Sequence, residues 1–232
     1  MGRAGEDPGA TMGLIAAARK GAIVDAAFVR EWIAKVSQSM QEQREYLTQL
    51  DAAIGDADHG VNMNRGFSAV MEKLGGVESE DPGEILTVVG STLISKVGGA
   101  AGPLYGSAFR QAGKALGDGS ELDPSRLLVA LRAGLEAMQK LGAAQVGDKT
   151  IVDAFVPALD AWQKELDAGG SPGSITTRAR EAAEEGMRST VPLQARKGRA
   201  SYLGPRSVGH QDPGATSTAL IFAALERVAG SS

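Results

Sequence analysis

The chain has 232 residues, a formal charge of −4 and 43% hydrophobic residues, with only 4% aromatic, so it can bury one sizeable core built from Ala, Leu, Val and Ile, which favours packed helices. The acidic balance excludes general binding to nucleic acid, which draws on clustered Lys and Arg. The lack of cysteine excludes disulfides, thiolate metal sites and a cysteine nucleophile, and no apolar run reaches the roughly 18–20 residues a membrane helix needs.

Near the start, Gly13 to Ala18 is preceded by Glu6 and Asp7 and followed by Arg19-Lys20, the reverse of the order in a signal peptide. A cytoplasmic protein is expected, with residues 1–20 a flexible tail and residues 21–232 one domain. From Asp25 to about Gln49, Phe28, Val29, Trp32, Ile33, Val36, Met40 and Leu47 recur at helical spacing, and charged residues take the other face. A second helix is predicted over 61–74, ending at Gly75-Gly76. Asp81-Pro82 and Asp123-Pro124 each combine an N-cap with a proline in the first turn. They open helices carrying Ile85 to Ile94 and Leu127 to Leu141, with a further helix over 104–116 between them. Later helices are expected over 151–166, where Pro157 should introduce a kink, from Ser171-Pro172 to Met187, and over 216–228. The count is about eight, with no period-two stretch, so the fold class is all-α. Four polar or glycine-rich connections interrupt it, at 51–60, 98–103, 142–150 and 195–214. Sequence alone does not say which of them share an end.

The first connection concentrates Asp51, Asp56, Asp58, His59 and Asn62, broken by Gly55 and Gly60. Magnesium takes hard oxygen ligands and usually sits on a few carboxylates plus substrate phosphates. Asp56 and Asp58, separated by Ala57, can aim at one point, and Asp51 can reach in from the end of the preceding helix. The bland alternative is a set of solvated loop and capping residues. With no second His or Cys nearby, zinc is disfavoured, and His59 and Asn62 suit hydrogen bonds to phosphate. Gly98 to Gly106 can cradle phosphate at a helix start, or simply form a tight turn. Gly142 to Thr150 misses a Walker loop, because an Asp precedes its Lys and no strand leads into it. The fourth connection carries Arg196, Lys197, Arg199 and Arg206. A solvated basic patch is the ordinary reading, but its length and its place in an acidic chain suit a polyphosphate opposite the acidic loop.

Taken together, Gly55-Asp56-Ala57-Asp58-His59-Gly60 with Asn62-Met63, Gly98 to Gly106, Gly147-Asp148-Lys149-Thr150 and Ala195 to Gly214 resemble, in order and spacing, the L subunit of dihydroxyacetone kinase (the DhaL family) over roughly residues 23–229. The resemblance implies a barrel of eight antiparallel amphipathic helices with the nucleotide in the loops at one end. It implies ADP or ATP held by two Mg²⁺ ions, with Asp51, Asp56 and Asp58 as metal ligands. His59, Gly60, Val61, Asn62, Ala100 and Ala101 match the phosphate side, and Gly142, Ile151, Arg199, Asp212, Pro213 and Gly214 match the other nucleotide contacts. Ala101 stands where the family commonly has Ser, which removes one possible hydroxyl contact, and Ile151 replaces a common Met while keeping an apolar surface for the base. The implied partners are a K subunit that holds dihydroxyacetone and, in a phosphoenolpyruvate-dependent system with captive ADP, a phosphohistidine-bearing M-type subunit. An ATP-dependent kinase subunit that exchanges nucleotide, a kinase for a related ketose and a non-catalytic nucleotide-sensing module remain alternatives.

Overall fold

The computed structural model of the protein describes residues 24–117 and 123–230. The tail expected at residues 1–20 lies outside them. Regular structure among the described residues is helical throughout: α1 (Ala26–Glu42), α2 (Arg44–Ile54), α3 (His59–Leu74), α4 (Pro82–Lys96), α5 (Ala101–Leu116), α6 (Pro124–Gly142), α7 (Val152–Asp167), α8 (Pro172–Ser189), a 3₁₀ segment (Arg199–Ser207) and α9 (Pro213–Ala229).

Helices begin where the capping chemistry directs. Asp25 accepts from the Phe28 N–H at 2.7 Å, Asp81 from Gly83 at 2.8 Å, Asp123 from Arg126 at 2.9 Å and the Ser171 hydroxyl from Ser174 at 3.1 Å. Each such cap is worth about 1 kcal/mol. Several boundaries differ from expectation, with α3 starting at His59 rather than 61 and α5 at Ala101 rather than 104. The first predicted helix is two helices, broken at Gln43, where the backbone leaves helical geometry at φ −97° and ψ 9°. The last helix starts three residues early, at Pro213, because Asp212-Pro213 is another Asp-Pro start signal, with Asp212 accepting from Ala215 at 2.6 Å. Pro157 lies inside α7, which is continuous from Val152 to Asp167.

Neighbouring helices pack in a closed circuit: α1 on α3, α3 on α4, onward in chain order to α9, and α9 back on α1. This ring of eight is consistent with the barrel expected, and α2 stands outside it against α3, α9 and the 3₁₀ segment. Trp32, Ile33, Phe67, Leu86, Leu159, Trp162 and Leu225 are all nearly inaccessible within one apolar core. At the closing seam the Trp32 indole donates to the Ile221 carbonyl at 3.1 Å. The tightest pairing is α4 with α5. There Gly83 faces the Gly113 backbone and Gly90 that of Gly106, so a Cβ on any of the four would strike main chain. The numbers fall along one helix as they rise along the other, so this pair is antiparallel.

Candidate functional site

All four predicted connections meet in one cleft of about 270 Å³ at a single end of the ring. Asp51, Asp56, Asp58, His59 and Asn62 line it from α2, the acidic loop and α3; Ala100 and Ala101 from the start of α5; Gly142 and Ile151 from the α6–α7 connection; Arg199 from the 3₁₀ segment; and Asp212, Pro213 and Gly214 from the start of α9. Gly60 and Val61 are not among the lining residues. Gly60 is buried against Arg44 and Thr48 of α2, where a side chain would strike backbone, and Val61 is exposed.

The acidic loop is shaped by Asp51. Its buried carboxylate accepts the Asp58 N–H at 2.8 Å and the His59 N–H at 3.1 Å, both through Oδ2, so α3 takes its cap from the helix before it. Gly55 is required because any side chain there would run into that carboxylate. Ala57, in the left-handed region at φ 60°, turns the chain between Asp56 and Asp58. Asp51, Asp56 and Asp58 each bring a carboxylate oxygen within 4.8 Å of the others, a donor set of hard oxygens that fits a cation such as Mg²⁺. Arg199 stands over this cluster, its Nε 2.9 Å from Asp56 Oδ2. The acidic and basic loops therefore face each other directly. Asn62 lies against Gly98, where a Cβ would come within 3.0 Å of its Oδ1, and this seats the glycine turn on the start of α3.

Starts at the far end of the ring, those of α4, α6 and α8, are capped by their own Asp or Ser. At the cleft, α9 is capped by its own Asp212, α3 has its first N–H groups taken by Asp51, and α5 begins at Ala100 without a side-chain cap from that residue. Helix starts carry N–H groups and partial positive charge, so the starts of α3, α5 and α9 converging on one cleft favour an anion there.

Behind the cleft wall, His59 Nε2 lies 3.0 Å from Ser217 Oγ, and Ser217 Oγ is 2.7 Å from the Tyr105 hydroxyl, which also meets Thr218 at 2.8 Å and donates to the Gly214 carbonyl at 3.0 Å. Burial lowers the basicity of His59, opposed by the charges of Asp51 and Asp58. Burial likewise pushes the Tyr105 phenol up. Asp212, buried at the start of α9, is held up at about 7, first by desolvation and further by Asp153 and Asp51, against the Ala215 N–H and Lys149.

Sequence reasoning missed Lys149, which lines the cleft, and Tyr105 and Ser217, which lie behind His59. Tyr105 and Ser217 give no local signal, since their meeting depends on α5 and α9 packing side by side. Lys149 sits in a motif that was noticed, but its burial was not legible there.

Residues 53–227 match the DAK2 domain family model. The chain is 44% identical over 194 residues to the PEP-dependent dihydroxyacetone kinase ADP-binding subunit DhaL of Escherichia coli (strain K12), covering 84% of this chain and 92% of that one. It is also 44% identical over 198 residues to the PTS-dependent dihydroxyacetone kinase ADP-binding subunit DhaL of Lactococcus lactis subsp. lactis (strain IL1403), covering 85% and 95%. A crystal structure of the dihydroxyacetone kinase from C. freundii in complex with AMP-PNP and Mg²⁺ superimposes with a TM-score of 0.68 at 26% identity over 87% of this chain. This chain spans 34% of that longer protein.

Proposed function

The chain belongs to the DAK2 domain family, and on that premise we propose that it is the nucleotide-binding, phosphoryl-donating subunit of a dihydroxyacetone kinase, dependent on phosphoenolpyruvate and keeping ADP as a bound cofactor. The observation that carries this reading is the convergence, in one cleft, of three carboxylates, the starts of α3 and α5 and Arg199. A nucleoside diphosphate with its metal has this pattern of charge: cations next to carboxylates, phosphate oxygens next to N–H groups and a guanidinium.

Asp51, Asp56 and Asp58 hold the metal, which we take to be two Mg²⁺ ions as in the family resemblance. Bound Mg²⁺ supplies charge neutralisation and orients phosphate oxygens. The N–H groups of the first turns of α3 and α5, including those of Gly60 and Val61, receive phosphate oxygens, and His59 and Asn62 border the same region. Gly60 fits this role through its backbone alone, since its Cα is packed on α2. Arg199, which pairs with Asp56 here, turns to the phosphates once that carboxylate is engaged by a cation. Ile151 and Gly142, beside Leu104 and Met138, offer an apolar face to the base, while Asp212, Pro213 and Gly214 close the remaining wall. Phosphoryl transfer depends on alignment and charge stabilisation more than on covalent help, and these residues provide both. The ketose and the base for its hydroxyl belong to a K subunit that docks over the cleft. A phosphohistidine-bearing M-type subunit recharges the nucleotide in place. All of this is set in the cytoplasm. No helix among the described residues is long and apolar enough to cross a membrane.

Reconstitution with a K subunit decides the matter, with either ATP or phosphoenolpyruvate plus the general carrier proteins as donor. Transfer with phosphoenolpyruvate and abundant ADP released by acid from the purified protein are expected. Turnover on ATP alone defeats the phosphoenolpyruvate dependence, and no transfer with either donor favours a nucleotide-sensing module.

A further inference from the structure

The tight turn Gln145–Thr150 is fastened from within. Asp153, buried at the start of α7, accepts the Gly147 N–H through Oδ1 at 2.6 Å and the Thr150 N–H through Oδ2 at 2.7 Å, and Asp148 Oδ2 accepts the Gln145 N–H at 3.0 Å. From this turn Lys149 projects inward. Its backbone is left-handed at φ 62° and its side chain is only 1% exposed. Burying an ammonium is costly unless its donors are met, and an apolar side chain of the same length would fill the space more cheaply. The ammonium donates to the Thr190 carbonyl at 2.7 Å and to the His210 carbonyl, with the charges of Asp212 and Asp153 close by.

Those two carbonyls lie on chain that enters and leaves the basic loop. Thr190 caps the end of α8, and its hydroxyl accepts the Asp212 N–H at 3.0 Å. The neighbouring Asp148 carbonyl accepts the Arg196 N–H at 3.1 Å, and the Gly209 N–H reaches the Val191 carbonyl at 2.8 Å. The loop thus departs at Arg196 and returns at His210 against one turn. Between those points, glycines with positive φ at 198, 204 and 209 let the chain fold over, and Ala200 and Leu203 seat it on Ile54, between Asp51 and Asp56. Arg199 sits on this flap, and Asp212 to Gly214 follow its return.

We propose that Lys149 is a positioning residue for nucleotide binding: by clasping Thr190 and His210 it closes the base of the 196–210 loop, so that Arg199 and the start of α9 face the same nucleotide. The inference rests on the reading that this cleft takes Mg²⁺ and ADP. Loss of the ammonium opens the base of the loop while leaving the helical ring packed. Nucleotide affinity measured well below the melting temperature therefore falls, which a purely global loss of stability would not cause.

The test measures Mg·ADP binding by calorimetry and trypsin cleavage within the loop, after Arg196, Lys197, Arg199 or Arg206, in wild type and in Lys149→Met. Affinity weaker by about tenfold or more, equivalent to about 1.4 kcal/mol, together with faster loop cleavage supports the clasp. Wild-type affinity in a folded Lys149→Met overturns it. Should that variant not fold, Lys149→Ala refolded with and without ethylammonium addresses the same contact. Recovery of ADP affinity with the amine supports the proposal, and no recovery overturns it. A wild-type protein that does not bind Mg·ADP defeats the reading of the cleft itself, whereas tight binding by wild type and Lys149→Met alike defeats only the role of Lys149.

Discussion

Asp212 should make the stability of the nucleotide-free protein depend on pH over an unusual window. Its carboxyl is held at about 7 in the fold, chiefly by desolvation, against an ordinary value of 3.8. The native state therefore binds this proton more tightly than the unfolded chain does. Its stabilising effect is complete below about pH 4 and is lost as pH rises through 7, the opposite of a salt-bridged aspartate. A gap of roughly three pH units, at about 1.4 kcal/mol each, sets an upper bound of about 4 kcal/mol. Asp212→Asn retains an acceptor for the Ala215 N–H and cannot ionise. Urea unfolding of both proteins in EDTA, from pH 4.5 to 8, should show the variant gaining on wild type across the range by a large part of that bound. A constant difference at all pH values would refute the reasoning, and would mean that Lys149 keeps Asp212 ionised throughout.

Asp56→Ala and Asp58→Ala remove exposed carboxylates, so each should lose Mg²⁺-dependent ADP binding in calorimetry while its melting curve stays within about 0.5 kcal/mol of wild type; unchanged binding would refute the metal assignment. Gly90→Ala places a methyl against the Gly106 backbone and should destabilise by about 1–3 kcal/mol in thermal unfolding, whereas an unaltered melting temperature would show that α4 and α5 separate freely. Ala57→Gly relieves a left-handed alanine and should raise stability by up to about 1 kcal/mol, with metal binding retained; a lower melting temperature would argue against that backbone conformation.

The parts legible in the sequence were those encoded by near neighbours. Asp81-Pro82, Asp123-Pro124 and Ser171-Pro172 announce helix starts because a cap acts within three residues, and the same signal at Asp212-Pro213 was available but unread. The carboxylate loop stood out because Asp51, Asp56 and Asp58 are close in the chain as well as in space. The break at Gln43 was hidden because helix periodicity continues on both sides of it. The contacts of His59 with Ser217 and of Tyr105 with Gly214 join residues more than a hundred positions apart, so no window of sequence contains them. For Lys149 nothing local signals burial, since a lone lysine in a polar loop is ordinarily solvated.

The closing seam between α1 and α9 also bears on when the protein becomes competent during its synthesis. The Trp32–Ile221 bond joins residues 189 positions apart, and α9 is the last described helix to leave the ribosome. It carries Asp212 to Gly214 and Ser217, while the carboxylates of Asp51, Asp56 and Asp58 lie in the first quarter of the chain. A nascent chain that already displays the acidic loop still lacks the wall opposite it. Nucleotide capture should therefore arrive late and all at once, when ring closure brings the two ends of the chain together. Until then Trp32, on the inner face of α1, lacks its partner on α9 and is apolar surface open to a chaperone.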